Sequence, residues 1–244
     1  MTQISTSPLL PGLSNAVVQK LAGEWTDLGL WRDVRWLAVE FMNAKESDKV
    51  LRWHHLVMAV GNFKRQGGRR LQPTCLAERS HTVETAAVLD VFEIPGTVPA
   101  VKVTESDRST WTDLQTHLHG AATATTTTLL AAIWPASHFV YDWRVRAAAN
   151  GLRITAGLSP TLEITPQSSR TPQLEIDSYD EVREWVLKTA DAVEHPVCMV
   201  ERALYEVSRK VKTVPGRTWA DYSNAIAVKM SELSVAILSG TAQI

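Results

Sequence analysis

Two cysteines, Cys75 and Cys198, are all that the 244 residues contain. They lie too far apart in sequence to build a CxxC redox pair or a four-thiolate metal cluster. That scarcity fits a reducing cytoplasm. No apolar run reaches the roughly 18 residues that a membrane-crossing helix needs. The opening "MTQISTSPLLPG" lacks the basic and apolar regions of an export signal, so a cytoplasmic chain with no membrane partner is expected. Neither a GxSxG, a P-loop, a GxGxxG nor an HExxH pattern is present, which removes the sequence support for the common hydrolase, NTPase, dinucleotide-binding and zinc-protease chemistries. Charge of one sign is also missing: a formal net charge of -1 excludes a globally basic nucleic-acid binder, so any such contact must be a local patch.

What is present is apolar content sufficient for a sizeable core. With 45% hydrophobic and 21% charged residues, the chain is globular and forms one large domain or two interwoven lobes. Helical spacing recurs in "LSNAVVQKLAGEW", with Ser14 as cap, in "GLWRDVRWLAVEFMNA" and in "ESDKVLRWHHLVMAVGNF". The last of these stops in "KRQGGRRLQP", where Gly67, Gly68 and Pro73 break the period. Residues 74–104 are a loop-rich connection with room for one or two short strands. "SDRSTWTDLQTHL" restores helical spacing, capped by Asp107 or Ser109. "RITAGLSPTLEITPQSSRTPQLEIDS" reads as a surface connection, and three helices follow: "YDEVREWVLKTADAV", "HPVCMVERALYEVSRKV" and "TWADYSNAIAVKMSELSVAIL". The expected fold is all-α, a single interwoven domain over 1–244. Its lobes are expected to be 1–73 with 178–244, and 105–153.

One stretch, "LHGAATATTTTLLAAIWPASHFVYDWRVRAAANGL", stands apart. Gly120 permits a tight turn, "TATTTTLLAAIW" is a helix ended by Pro135, "PASHFVY" is a loop, and Asp142 opens the next helix. Asp is among the preferred N-caps, so Asp142 either caps that helix or carries chemistry. The order of elements resembles the helix-hairpin-helix DNA glycosylases, the base-excision superfamily that includes endonuclease III, adenine-mismatch and 8-oxoguanine glycosylases. Leu118 matches the hairpin leucine of their Leu-Pro-Gly-x-Gly motif and Gly120 its first glycine. His119 stands where the proline is usual, and Ala122 replaces the second glycine. Asp142 falls at the catalytic aspartate. Ala124, eighteen residues earlier, occupies the place of the Schiff-base lysine of bifunctional members. "MVERALYEVSRK" is similar to a late helix of the 8-oxoguanine-type branch, and the whole resembles a divergent bacterial member.

The resemblance implies a monofunctional, hydrolytic DNA-repair activity or binding of damaged DNA, with no cofactor and no metal. The target nucleotide would be extruded from double-stranded DNA, and Asp142 would stabilise the cationic sugar and help activate water. The hairpin residues Gly120, Ala121, Ala122 and Thr123 would hold the DNA backbone, and Arg144 and Arg146 would contact flanking phosphates. Lys64, Arg65, Arg69 and Arg70 make a second basic patch or a solvated loop. The competing reading is a catalytically silent helical module that binds a protein partner, for example as a subunit of a bacterial defence-type system. The paired histidines, His54 with His55 and His117 with His119, fall on different helix faces and do not share a metal. Trp31, Trp36 and Trp53 lie on apolar stripes and are expected in the core, whereas Trp143 sits beside the acid.

Overall fold

The computed structural model describes residues 10, 12–23, 28–65, 123–155, 172–211 and 219–239. Among these there are eight α-helices and no strand: α1 (Asn15–Gly23), α2 (Leu28–Met42), α3 (Glu46–Arg65), α4 (Thr123–Ile133), α5 (Trp143–Thr155), α6 (Pro172–Ala192), α7 (Val197–Lys210) and α8 (Trp219–Leu238). The all-α class read from periodicity is therefore the observed one. The segments expected as short strands, as the helix over 106–118 and as the hairpin up to Ala122 lie outside the described residues.

The helices fall into two units. One holds α2, α3 and α4, and the other holds α1 with α5 to α8; the chain passes between them at 25–26 and at 141–142. The sequence pattern groups α2 and α3 with the C-terminal helices; in the structure they pack on α4. The reason is α4 itself, in which every residue from Thr125 to Ile133 is buried. A helix buried on all sides needs cover on all sides.

In that unit α2 buries Trp31, Val34, Ala38 and Phe41, spaced three and four apart, and α3 buries Trp53, Leu56, Val57 and Val60. Tilted ring pairs, Trp31 with Phe63 and Phe41 with Trp53, each at 5.4 Å, join the two helices. Trp36 departs from expectation. It is 58% exposed, because it lies half a turn from the buried Val34–Ala38 row. Arg35 reaches the other way and its guanidinium donates to the Ala132 carbonyl, one of the acceptors left open at a helix C-terminus.

The threonine run in α4 divides its hydroxyls. Thr127 Oγ1 donates to the Thr123 carbonyl at 2.9 Å and lies 3.3 Å from that of Ala124, while Thr128 Oγ1 donates to Ala124 at 2.6 Å. Thr127 Oγ1 also accepts the Tyr141 N–H at 2.9 Å, across fourteen residues. Thr126 Oγ1, by contrast, is buried without a hydrogen-bond partner. After Ile133 the chain turns through Pro135, with the Ser137 and His138 N–H groups donating to the Trp134 carbonyl.

In the second unit, α5 lies against α7 and α8, and α1 against α7. The run Ala147–Ala149 is buried, and small side chains there let neighbouring backbones come close. Ser14 caps α1 as expected, its Oγ accepting the Val17 N–H at 3.4 Å. α6 begins at Pro172, seven residues before the periodic segment read from sequence. Proline's fixed φ and missing N–H are suited to a first helical turn. The α6 terminus is a Schellman motif: the His195 N–H donates to Ala190 at 3.0 Å and the Glu194 N–H to Asp191 at 3.2 Å, with Glu194 at φ 55.

Three long-range bonds tie the N-terminal segment into this unit. The Leu10 N–H donates to Thr189 Oγ1 at 3.1 Å, Asn15 Nδ2 to the Val193 carbonyl at 3.0 Å, and Ser234 Oγ to the Gly12 carbonyl at 2.8 Å. Gly12 sits at φ 80, and a Cβ there would lie 2.9 Å from Ser234 Oγ, so glycine is required.

Two consequences are measurable by chemical denaturation. Thr127→Val strands the buried Tyr141 N–H and should cost about 1–3 kcal/mol, whereas Thr126→Val removes an unpaired hydroxyl and should be neutral or stabilising. A loss at Thr126 equal to that at Thr127 would contradict the division of roles. Glu194→Gly relieves a left-handed residue and should raise stability by ~0.5–1 kcal/mol, net of glycine's entropy.

Candidate functional site

Asp142 immediately precedes α5, and its carboxylate is engaged from below. Oδ1 accepts the N–H of Arg144 at 2.9 Å and that of Val145 at 3.0 Å, while the Asp142 carbonyl accepts the Arg146 N–H at 3.0 Å. These bonds satisfy two of the donors that every helix N-terminus leaves open, and they place a negative charge at the positive end of the helix dipole. Both bonds converge on Oδ1. Among the described residues none reaches Oδ2, and the side chain is half-buried. The carboxylate is thus oriented by one oxygen and retains acceptor capacity on the other.

Arg144 and Arg146 follow on the first turn of α5, both half-buried. The Arg144 guanidinium lies 4.6 Å from the Trp143 ring centroid and 5.6 Å from that of Tyr205 on α7. A cation between two aromatic faces is held by their quadrupoles while its N–H groups remain available at the edge. Further along α5, Arg153 lies 3.4 Å from Glu181 and 4.5 Å from the Trp185 ring centroid, both on α6.

The other expected DNA contacts divide. Thr123 is the first residue of α4, half-buried, with its Oγ1 buried and unbonded. Ala124 follows, with its carbonyl occupied by Thr128. Gly120, Ala121 and Ala122 lie outside the described residues, as do Arg69 and Arg70 of the second basic patch. Thr123 and Asp142 belong to different units. His54 is half-buried and its neighbour His55 exposed. Among the described residues no group of His, Cys, Asp or Glu is placed to hold a metal ion, and no helix is long and apolar enough to cross a membrane.

Sequence reasoning missed two charges. Arg183 on α6 and Glu206 on α7 are fully buried; the Glu206 carboxylate lies 3.0 Å from Nε of Arg209. A signal for Arg183 existed: it is four residues after Tyr179 and three before Val186, both buried, so it occupies the apolar stripe itself. A charge at such a position is costly unless compensated, and both residues take part in polar interactions.

No protein-family model, curated protein or solved structure matches this chain.

Because Asn accepts the same two N–H bonds as Asp, Asp142→Asn should lower stability by less than ~1 kcal/mol, whereas Asp142→Ala should cost ~1–2 kcal/mol. Equal losses in thermal and denaturant unfolding would mean that charge, not the cap bond, holds this helix end.

Proposed function

We propose that the chain is a DNA base glycosylase-like protein, acting without a Schiff-base lysine as a monofunctional hydrolase of the N-glycosidic bond or as a binder of damaged DNA. The observation that carries the reading is the carboxylate of Asp142, oriented through Oδ1 by two backbone N–H groups and open at Oδ2. An anion fixed in advance stabilises a developing oxocarbenium ion without reorganising. In the proposed step the C1′–N bond breaks and the base leaves with its electron pair. Water then adds to C1′, and its proton passes by way of Oδ2 to the departing base. Double-stranded DNA is the partner, approached by the Arg144 and Arg146 turn, and the proposed setting is a bacterial cytoplasm.

A second reading rests on the same geometry. Capping accounts for Asp142 and ring stacking accounts for Arg144, which together suit a catalytically silent helical module with a protein partner.

Duplexes carrying uracil, 8-oxoguanine, an alkylated base or a mismatch distinguish the two. The wild type should release a base from one of them under single-turnover conditions, and Asp142→Asn should reduce that rate at least ~100-fold while DNA binding survives. Borohydride should trap no covalent adduct, since Ala124 offers no amine. No release from any duplex, together with no tighter binding of a damaged duplex than of undamaged DNA, would transfer the assignment to the silent module.

A further inference from the structure

Of the eight large hydrophobic side chains exposed among the described residues, six lie on the α2–α3 hairpin: Trp36, Val39, Met42, Val50, Leu51 and Met58. Apolar residues exposed singly are ordinary, but a contiguous set marks a contact surface. Two of them, Trp36 and Met58, line a groove of about 410 Å³ between the helices, together with Leu30, Asp33 and Leu37 from α2 and His55 and Ala59 from α3. Trp36 and Met58 are exposed, whereas Val34, Ala38, Trp53, Leu56 and Val60 on the same two helices are buried, so the groove opens on the solvent side of the hairpin. Neither Thr127 nor Asp142 takes part in it.

We infer that this groove is a dimerisation surface whose occupant is the α2–α3 hairpin of a second copy of the chain. The argument for a second copy is the charge the groove carries. Asp33 and His55 are both exposed, and they enter an otherwise apolar lining from opposite helices. A purely apolar partner would strand both when it covered them. A two-fold axis running along the groove sets α2 of each copy against α3 of the other, so that the Asp33 carboxylate of one copy meets the His55 imidazole of the second, twice. A self-complementary patch is what an isologous interface requires. Two hairpins meeting in this way make a four-helix arrangement with Trp36, Leu37 and Met58 inside. Glu40 and Arg52, nearer the connecting loop, already pair across the hairpin at 3.5 Å and form a polar rim. The inference is independent of the activity of Asp142.

Sedimentation equilibrium on the purified full chain tests it. The wild type should be in a monomer–dimer equilibrium, and Trp36→Glu should raise the dimer dissociation constant at least ~100-fold, the scale of an uncompensated charge buried at an interface. All these sites are exposed, so circular dichroism and the unfolding midpoint should remain those of the wild type. Asp33→Lys should weaken the dimer, and Asp33→Lys combined with His55→Glu should restore it. A wild type that stays monomeric at every concentration overturns the inference, as does a dimer indifferent to Trp36→Glu. Failure of the double variant to recover overturns the proposed register. A monomer that binds a small apolar dye, with that binding lost in Trp36→Glu, would overturn the dimer and assign the groove to a small ligand instead.

Discussion

The bond on which the rest depends is the one from the Tyr141 N–H to Thr127 Oγ1, 2.9 Å long and buried. Residues 137 to 141 are buried but belong to no helix, so their backbone polar groups have no ladder to satisfy them and need partners of another kind. A threonine placed mid-helix ordinarily competes with the helix by bonding back to the carbonyl four residues earlier. Thr127 does so, and its oxygen then accepts the bond from the extended segment. One hydroxyl thus serves a helix and the segment that follows it. Tyr141 ends its unit, and the next residue is the acid that starts α5.

The other unit solves a different problem, which is to retain charge inside a helical core. Arg183 and Glu206 are fully buried, and such groups stabilise little by themselves but cost several kcal/mol if one partner is removed. What surrounds them is therefore tightly specified. The N-terminal segment is fixed to α6 by Thr189 and by the Val193 carbonyl, and to α8 by Ser234. These bonds join residues nearly the whole chain apart, so the unit closes only when its first and last elements are both present. Long-range closure of this kind slows folding more than it limits stability.

Much of this was legible in the sequence. Six of the helices announce themselves by apolar spacing, and Ser14 and Pro135 act where their chemistry says they should. Asp142 was readable as a cap because aspartate before an apolar-periodic run carries that meaning locally. Three features were not legible, each for a physical reason. Trp36 shares α2 with two apolar rows, and periodicity cannot tell which row the rest of the fold covers. Thr127 differs from Thr126 only in what stands opposite it, and that neighbour is fourteen residues away. The first turn of α6 contains proline, threonine-flanked and polar, which reads as a loop unless the helix behind it is already known.

Asp142 shows why a cap and a catalyst are hard to separate by inspection. Capping needs a lone pair directed at the N–H groups of the first turn; charge adds only a few tenths to about 1 kcal/mol through the helix dipole. Stabilising a cation needs the reverse: negative charge first, with direction supplied by whatever holds the carboxylate still. In this chain one oxygen meets the first requirement, and doing so fixes the second oxygen in space. The geometry that suffices for structure is therefore also the preorganisation that chemistry at Oδ2 would need. The two roles diverge only in their dependence on charge, because an amide in the same place preserves the direction and removes the anion.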